Sequence, residues 1–251
     1  MHTQSPWTIR LEWGPYGAGH VAAGADVAVV VDVLSFTTAL SVAADLGTVV
    51  LPYPRHDADA VAYAEAHDAV LAGRRSARDV PSLSPVSLRR TTPPSRLVLP
   101  SPNGSTIAAV LAGTRAEVVG ACLRNAEAVA RWVISRRPRS VAVVPAGERW
   151  PDGGLRPAAE DLWGAGAVVE ALRVAGLDDV SPEARTAAAA YREVARDIRA
   201  SLHDCASGRE LADAGYGGDV DVAAEVGQGR AVPVLTARGF VPAPVPPQPG
   251  V

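Results

Sequence analysis

The chain has 251 residues, a formal net charge of −3, and 48% hydrophobic and 20% charged residues, which describes a sizeable globular protein without a basic surface for nucleic acid. All 24 basic side chains are arginines, because the sequence contains no lysine. This excludes a catalytic lysine, a Schiff base and a Walker-type phosphate loop. The two cysteines lack metal-ligand spacing, and no segment reaches the roughly 18 apolar residues of a membrane span. We therefore expect a cytoplasmic protein with neither a membrane nor a nucleic-acid partner.

Short apolar runs alternate with helical patterns along most of the chain. The first run, residues 27–31, is apolar without alternation, which suits a strand buried on both faces of a parallel sheet. Further strands are predicted at 48–52, 69–73, 96–100, 117–119, 141–144 and 232–235, the last at a sheet edge because it contains a proline. Helices are predicted at 39–46, 57–66, 107–111, 125–135, from 160 onward, at 181–202 and from 207 onward. This alternation predicts an α/β fold with three α/β/α layers and a largely parallel or mixed central sheet.

Two segments interrupt the alternation. Residues 74–95 contain four prolines with scattered serine and arginine, and a loop of that length in a compact domain is usually a lid, a binding loop or disordered. Residues 242–251 contain five prolines, which favours an extended or disordered tail. The sequence therefore predicts one α/β domain at 1–241 followed by a proline-rich tail at 242–251.

Asp32 is the first candidate site residue, because it ends the buried run at 27–31 and is followed by Thr37 and Thr38. Ligands of open α/β sheets bind beyond the carboxyl ends of the strands, where these side chains are expected. Asp, Ser and Thr before a helix are also ordinary N-caps, so capping is the alternative interpretation. A haloacid-dehalogenase-type phosphatase would place a second Asp two residues after the first, and Leu34 occupies that position.

The second candidate is Asn103-Gly104-Ser105, where a strand turns into a helix. Glycine allows close approach of a ligand, and the free N–H groups of a first helical turn attract an anion. A simple turn with an Asn or Ser cap is the commoner meaning of such a segment.

Glu160 and Asp161 form the third candidate, in the first turn of a predicted helix. Acidic side chains are favoured there by the helix dipole without any function. Two adjacent carboxylates near Asp32 would also suit Mg²⁺, which prefers oxygen ligands. Arg209 at another helix start could hold an anion or simply be solvated.

Taken together, these segments resemble the 2-phosphosulfolactate phosphatase family, a family of Mg²⁺-dependent phosphatases of coenzyme M synthesis, from about Asp26 to Phe240. The matching positions, in order, are Asp32-Val33-Leu34 with Thr37-Thr38, Gly73, Ser84-Pro85, Asn103-Gly104-Ser105, Asn125, Ala146-Gly147, Glu160-Asp161-Leu162, Ala165-Gly166 and Ser207-Gly208-Arg209 with Leu211.

Four places depart from the family pattern. Ser35 stands where the family usually has Arg, Arg74 where it usually has Glu, and Leu83 where it has the Asn of an Asn-Ser-Pro motif. The family's Thr-rich lead into Asn-Gly is Ser101-Pro102 here. We expect Arg74 to compensate for the missing arginine by binding the anion from the opposite wall of the pocket.

The resemblance implies Mg²⁺-dependent hydrolysis of the phosphate monoester of a small acid. Asp32, Glu160 and Asp161 would be the catalytic and metal-binding carboxylates, and the phosphate ligands would be Thr37, Thr38, Asn103, Gly104, Ser105, Arg74 and Arg209. The attacking group could be metal-activated water or the carboxylate of Asp32 itself. A same-fold hydrolase for another phosphorylated acid and a non-catalytic anion-binding module are the alternatives, and an oligomer is compatible with the sequence.

Overall fold

The computed structural model describes residues 3–77 and 79–246. Its main sheet consists of β1 (Ile9–Leu11), β2 (Val27–Val31), β3 (Val49–Tyr53), β4 (Val70–Leu71), β5 (Arg96–Pro100), β6 (Glu117–Ala121), β7 (Val141–Pro145), β10 (Ala231–Thr236) and β11 (Gly239–Pro244). Strands β8 (Glu148–Arg149) and β9 (Leu155–Arg156) form a separate short hairpin. The predicted α/β class with a mixed sheet is confirmed.

The helices lie between the strands in the chain. They are α1 (Gly14–Val21), α2 (Phe36–Asp45), α3 (Ala58–Ala66), α4 (Pro85–Arg90), α5 (Gly104–Ala112), α6 (Ala126–Ser135), α7 (Ala159–Val174), α8 (Pro182–Val194), α9 (Ile198–Asp204), α10 (Ala206–Asp213) and α11 (Gly217–Ala223). Within the described ranges, none of these helices is long and apolar enough to cross a membrane.

The main sheet contains two parallel sets of strands that run in opposite directions. The order is β1-β7-β2-β6-β10-β11-β3-β5-β4, with every pair parallel except the three that involve β10 or β11. The antiparallel hairpin β10–β11 therefore joins the two sets. It meets each set through one registered pair, Val234 with Val119 and Phe240 with Val50.

Strand β2 is the central element of the larger set, and its side chains alternate between two cores. Val27, Val29 and Val31 pack in the core that includes α6, α7 and α8. Ala28 and Val30 pack in the core that includes α1 and α5. An uninterrupted apolar strand is thus explained by helices on both faces, as the sequence predicts.

Four expectations about individual elements need correction. Residues 74–95 contain helix α4, whose first turn is capped by Ser84. The predicted helix 181–202 is interrupted at Ala195–Asp197, where the Asp197 side chain accepts a hydrogen bond from Ala200 N and starts α9. Strand β1 and helix α1 lie in a segment for which the sequence predicted no element.

The fourth correction concerns the predicted edge strand at 232–235, since β10 lies inside the sheet between β6 and β11. Its Pro233 is paired with Pro242 of β11, and β10 is registered with β6 only at Val234. Strand β11 extends to Pro244, so the first residues of the predicted tail are part of the sheet. Residues 247–251 of that tail lie outside the described residues.

Candidate active site

Asp32 lies directly after β2 and is 6% exposed. Its Oδ1 accepts a hydrogen bond from the Phe36 amide at 3.1 Å, and its Oδ2 accepts one from the Gly104 amide at 2.9 Å. These amides belong to the first residues of α2 and α5. The carboxylate therefore bridges the positive ends of two helices, which favours its ionised form.

Gly104 makes this bridge possible. A Cβ atom on Gly104 would lie 2.7 Å from Phe36 Cγ and 2.8 Å from Asp32 Oδ2, closer than real Cβ contacts. A glycine is therefore needed for α5 to start against Asp32, and the close approach is to the protein's own carboxylate.

Asp161 is the second buried carboxylate, at 3% exposure, and lies in the first turn of α7. Its Oδ1 accepts from the Val33 amide at 2.7 Å, and its Oδ2 accepts from the Gly147 amide at 2.8 Å. Gly147 has a φ of +67°, a conformation that glycine adopts without strain. Asp161 thus ties together the loops that follow β2 and β7.

Glu160 and Glu148 complete a group of four acidic side chains. Glu160 is 2% exposed and lines a cavity of about 370 Å³ together with Trp163 and Cys205. Glu148, in β8, accepts a hydrogen bond from Asn103 Nδ2 at 2.9 Å. We call Asp32, Glu148, Glu160 and Asp161 the carboxylate cluster.

Burial and repulsion between charges raise the pKa values of three members of this cluster, Asp32, Glu148 and Asp161. Burial, with the charges of Glu148 and Glu160, raises the pKa of Asp32 to about 7 against the opposing effect of its two amide donors. Burial, followed by the charges of Asp32 and Glu160, raises the pKa of Asp161. Burial likewise raises the pKa of Glu148. The cluster therefore favours either a bound proton or a cation at neutral pH.

The donor chemistry of the cluster fits Mg²⁺, which takes oxygen ligands. In the part of the chain that the structure describes, however, no group of three His, Cys, Asp or Glu side chains is arranged to hold a metal ion. Both oxygens of Asp32 and of Asp161 already accept amide hydrogen bonds, so part of their bonding capacity is used. Mg²⁺ usually keeps several waters and needs only one or two carboxylates, and the cluster offers that many.

One arginine lies beside the cluster. Arg156, in β9, lines the same cavity as Glu160 and donates through Nη2 to Ser207 Oγ at 3.1 Å. Its charge lowers the pKa of Glu148, although burial remains the larger influence on that group. Ser207 lies in the first turn of α10, so a guanidinium and a helix start meet at this cavity.

A second arginine lies next to the start of α2. Arg75 Nη2 donates to Ser35 Oγ at 3.1 Å, and its Nη1 is paired with Asp219. Ser35 immediately precedes Phe36, whose amide holds Asp32. Arg156 thus shares a cavity with Glu160, and Arg75 contacts Ser35, the residue before the one whose amide binds Asp32.

A family model described as 2-phosphosulpholactate phosphatase matches residues 18–238 of this chain. The chain belongs to this family.

Two relatives agree with the family match. A probable 2-phosphosulfolactate phosphatase of Deinococcus radiodurans is 34% identical over 224 residues, which cover 87% of this chain and 91% of the relative. A probable 2-phosphosulfolactate phosphatase of Thermus thermophilus is 32% identical over 220 residues, covering 85% of this chain and 89% of the relative.

The predicted phosphate ligands of this 2-phosphosulpholactate phosphatase family member are mostly engaged within the protein. The Thr37 hydroxyl donates to the Asp32 carbonyl and accepts from the Asp32 amide, and the Thr38 hydroxyl donates to the Val33 carbonyl. Both threonines are fully buried. They therefore fix the turn between β2 and α2. Neither hydroxyl caps α2, whose N-cap residue Ser35 makes no side-chain cap hydrogen bond.

The Asn103-Gly104-Ser105 segment is also oriented toward the protein. The Gly104 amide is bound by Asp32, Asn103 donates to Glu148, and Ser105 Oγ donates to the Leu99 carbonyl at 3.3 Å. The segment thus contributes to the site by holding two of its carboxylates.

The predicted arginines lie at the surface. Arg74 is exposed, and the guanidinium beside Ser35 belongs to its neighbour Arg75. Arg209 is 65% exposed and paired with Asp204. The expectation that Arg74 adjoins the site from the opposite wall therefore needs revision by one residue, because the side chain that turns inward is Arg75.

Four residues of the site were not selected from the sequence: Glu148, Arg156, Arg75 and Asp219. Glu148 and Arg156 belong to two-residue strands too short to show a periodic pattern. Arg75 and Asp219 become neighbours only when the 74–95 segment folds against α11. For the part of the site around Arg156, the sequence offered one signal. This was the Ser207-Gly208-Arg209 segment, which matches the family pattern and contains the hydroxyl that Arg156 binds.

Proposed function

We propose that this protein is a Mg²⁺-dependent phosphatase that hydrolyses the phosphate monoester of a small acid, with 2-phosphosulfolactate as the first substrate to test. The observation that carries the proposal is Asp32, a buried carboxyl group with a pKa of about 7, set between two helix starts inside a carboxylate cluster. Family membership and the names of the two relatives supply the reaction class.

We assign each residue of the cluster a role from the hydrogen bonds that it makes in the structure. Glu148 and Glu160 would hold the cation, Asp32 would stay free to exchange a proton, and Asp161 would keep the loops after β2 and β7 in place. Bound Mg²⁺ would neutralise phosphate charge and polarise an attacking water. Arg156, with the start of α10, would bind phosphate oxygens, because a guanidinium matches them in a bidentate geometry.

Hydrolysis exchanges one P–O bond for another. Water supplies the new oxygen to phosphorus and loses a proton, the ester P–O bond breaks, and the alcohol oxygen of the acid takes up a proton. A carboxyl group that titrates near pH 7 can accept the first proton and return it, because its pKa lies close to the operating pH. Asp32 is the group of the cluster placed for this task. A covalent phosphate on Asp32 is the alternative. The configuration at an isotopically chiral phosphorus distinguishes the two, because direct attack by water inverts it once and two successive displacements retain it.

The test is phosphate release from a panel of phosphorylated hydroxy acids with and without Mg²⁺. We expect release that depends on Mg²⁺ and falls by a factor of about 100 or more in Asp32→Asn, which removes a group used directly in general acid–base catalysis. Asp59→Asn, on the exposed face of α3, is the control. Release that persists in Asp32→Asn would contradict the assignment of this residue.

A non-catalytic anion-binding module is the second candidate. It is favoured by the lack, among the described side chains, of a three-ligand group arranged for a metal. It predicts that phosphorylated acids raise the melting temperature while no phosphate is released. Cytoplasmic location stays a prediction.

A further inference from the structure

Arg75 is held rigidly by a set of buried polar groups that the proposed phosphatase chemistry does not use. Its partner Asp219 is 2% exposed and also accepts hydrogen bonds from Ser84 Oγ and, at 3.3 Å, from the Val86 amide. The guanidinium carbon lies 5.3 Å from the ring centroid of Tyr216. Both α4 and α11 therefore fix the orientation of this one side chain.

The guanidinium retains capacity for a ligand. An arginine has five N–H donors, and in the described structure Asp219 and Ser35 Oγ each accept one from Arg75. The side chain is 17% exposed, so it is neither sealed in the core nor free in solvent. Its contact with Ser35 places it one residue from the amide that binds Asp32.

The charge balance indicates which kind of anion suits this position. Asp219 offsets the charge of Arg75, so the pair offers oriented N–H donors with little net positive charge. A doubly charged phosphate is better matched by Arg156, whose cavity-lining guanidinium is bonded to the neutral Ser207 hydroxyl. A singly charged carboxylate or sulfonate, which needs oriented donors more than charge, suits Arg75.

We propose that Arg75, together with the Ser35 hydroxyl, binds the second acidic group of the substrate, a carboxylate or sulfonate, and so determines specificity for phosphorylated acids over simple phosphate esters. This rests on the proposed phosphatase function and identifies the part of the substrate that is not phosphate.

The test compares three substrates in wild type, Arg75→Gln and Arg75→Lys: phenyl phosphate, 2-phospholactate and 2-phosphosulfolactate. We expect Arg75→Gln to raise KM for the two acids by about 10- to 100-fold, the range for a lost charged hydrogen bond, and to leave the KM of phenyl phosphate within about twofold. Arg75→Lys should recover part of the loss, because it keeps the charge beside Asp219. A loss for 2-phosphosulfolactate alone would assign the sulfonate to Arg75, and an equal loss for both acids would assign the carboxylate.

Arg89→Gln is the matched control, because Arg89 also ties the 74–95 segment to the end of α11 through an ion pair with Glu225. A purely structural role for Arg75 predicts that both glutamine variants lower the melting temperature and change all three KM values alike, and that result would overturn the proposal. An unchanged KM for both acids in a folded Arg75→Gln protein would overturn it as well.

Failure of the phosphatase assignment would give a different result. Wild-type protein would then release phosphate from none of the three substrates at any Mg²⁺ concentration. Calorimetric titration with sulfolactate and lactate still tests Arg75, since these acids carry the second acidic group without phosphate. Equal affinity of wild type and Arg75→Gln for both acids would reject the role of Arg75 independently of catalysis.

Discussion

Two opposing influences act on the pKa of Asp32. Amide donors from α2 and α5 stabilise its charge, while burial and the neighbouring Glu148 and Glu160 destabilise it. The second influence is larger and brings the pKa to about 7. A small change near Asp32, such as the arrival of a cation or a phosphate, therefore decides whether this carboxyl group carries a proton.

Gly104→Ala should destabilise the protein as well as impair its activity. The added Cβ would meet the ring of Phe36 and the carboxylate of Asp32, so we expect a loss of about 1–3 kcal/mol in the free energy of unfolding, the usual cost of overpacking. Urea denaturation followed by circular dichroism measures this loss.

Gly19→Ala is the control for that measurement. Gly19 lies within α1, and the nearest atom to an added Cβ is a Val110 methyl group at an ordinary 3.8 Å. Alanine has the higher helix propensity, so this variant should be equally stable or more stable. If Gly104→Ala kept full stability while losing only ligand affinity, the segment would instead be an open anion cradle.

At the level of single residues, the sequence was informative where a side chain ends a regular element. Asp32, Glu160 and Asp161 stand at a strand end and a helix start, and they were selected on that basis. The hydroxyls of Thr37 and Thr38 bond backward to carbonyl groups, which composition does not reveal. Arg74 and Arg75 are adjacent in an aperiodic loop, so no pattern indicated which of them turns inward.

The α4 and α11 helices show how an apparently irregular segment acquires a fixed structure. Residues 74–95 have little apolar periodicity, yet Ser84 caps α4 and both α4 and Arg75 are bonded to Asp219. One buried carboxylate thus adds to the hydrophobic contacts of the segment, since Leu88 is buried in a core and Leu83 and Val86 pack against it.

Ser84→Ala should therefore cost more than an ordinary cap. The Ser84 hydroxyl accepts from the Ser87 amide at 3.2 Å and donates to Asp219, so two hydrogen bonds are lost. We expect a decrease of about 2–3 kcal/mol in the free energy of unfolding, from a cap and a charged hydrogen bond. Differential scanning calorimetry together with denaturant titration measures it.

Ser181→Ala provides the comparison, because Ser181 caps α8 through the Ala184 amide at 3.2 Å and is also buried. That variant should lose only the roughly 1 kcal/mol of a cap. Equal losses in the two variants would show that the bond between Ser84 and Asp219 contributes nothing to stability.

Most elements of the fold were predictable, because short apolar runs alternate along the chain with helical patterns. Such runs form β2, β3, β5, β6 and β7. The interior position of β10 was not predictable, because its proline obeys the rule for edge strands. That rule fails here because Pro233 is opposite another proline in β11, and the one registered pair between β10 and β6 is at its neighbour Val234. Likewise, the Asp197 side chain caps the start of a new helix, α9, where the apolar pattern predicted one continuous helix.

For the whole molecule, the carboxylate cluster makes stability dependent on pH. The pKa of Asp32 in the folded protein, about 7, exceeds its ordinary value of 3.8, so the folded state binds this proton more tightly than the unfolded state. Its contribution is fully present below pH 3.8 and is lost as the pH rises through 7. Asp161 and Glu148 act in the same direction. Without Mg²⁺, we expect the free energy of unfolding to fall between pH 5 and 8 by up to about 1.4 kcal/mol per pH unit for each proton.

Carboxylates outside the cluster with lowered pKa values do not change the free energy of unfolding between pH 5 and 8. The pKa values of Asp26, Asp57, Asp221 and Glu225 are lowered by their hydrogen bonds, so their contribution is complete above their ordinary values near 4. Denaturation at pH 5, 6, 7 and 8, repeated with Mg²⁺, measures the effect. Mg²⁺ should stabilise more at pH 8 than at pH 5, and Asp32→Asn should flatten the dependence. Stability that rises from pH 5 to 8 without Mg²⁺ would contradict a protonated cluster.

The β10–β11 hairpin joins the two strand sets through one registered pair on each side, and it is the last part of the sheet to be synthesised. Strands β6 and β3 leave the ribosome long before the hairpin that will lie between them, and until then each presents an unpaired edge. Such late, long-range pairing slows folding and leaves edges open to other chains. A nascent chain stalled before residue 231 should therefore associate with chaperones or aggregate, and emergence of the hairpin should be the step that makes the protein resistant to protease.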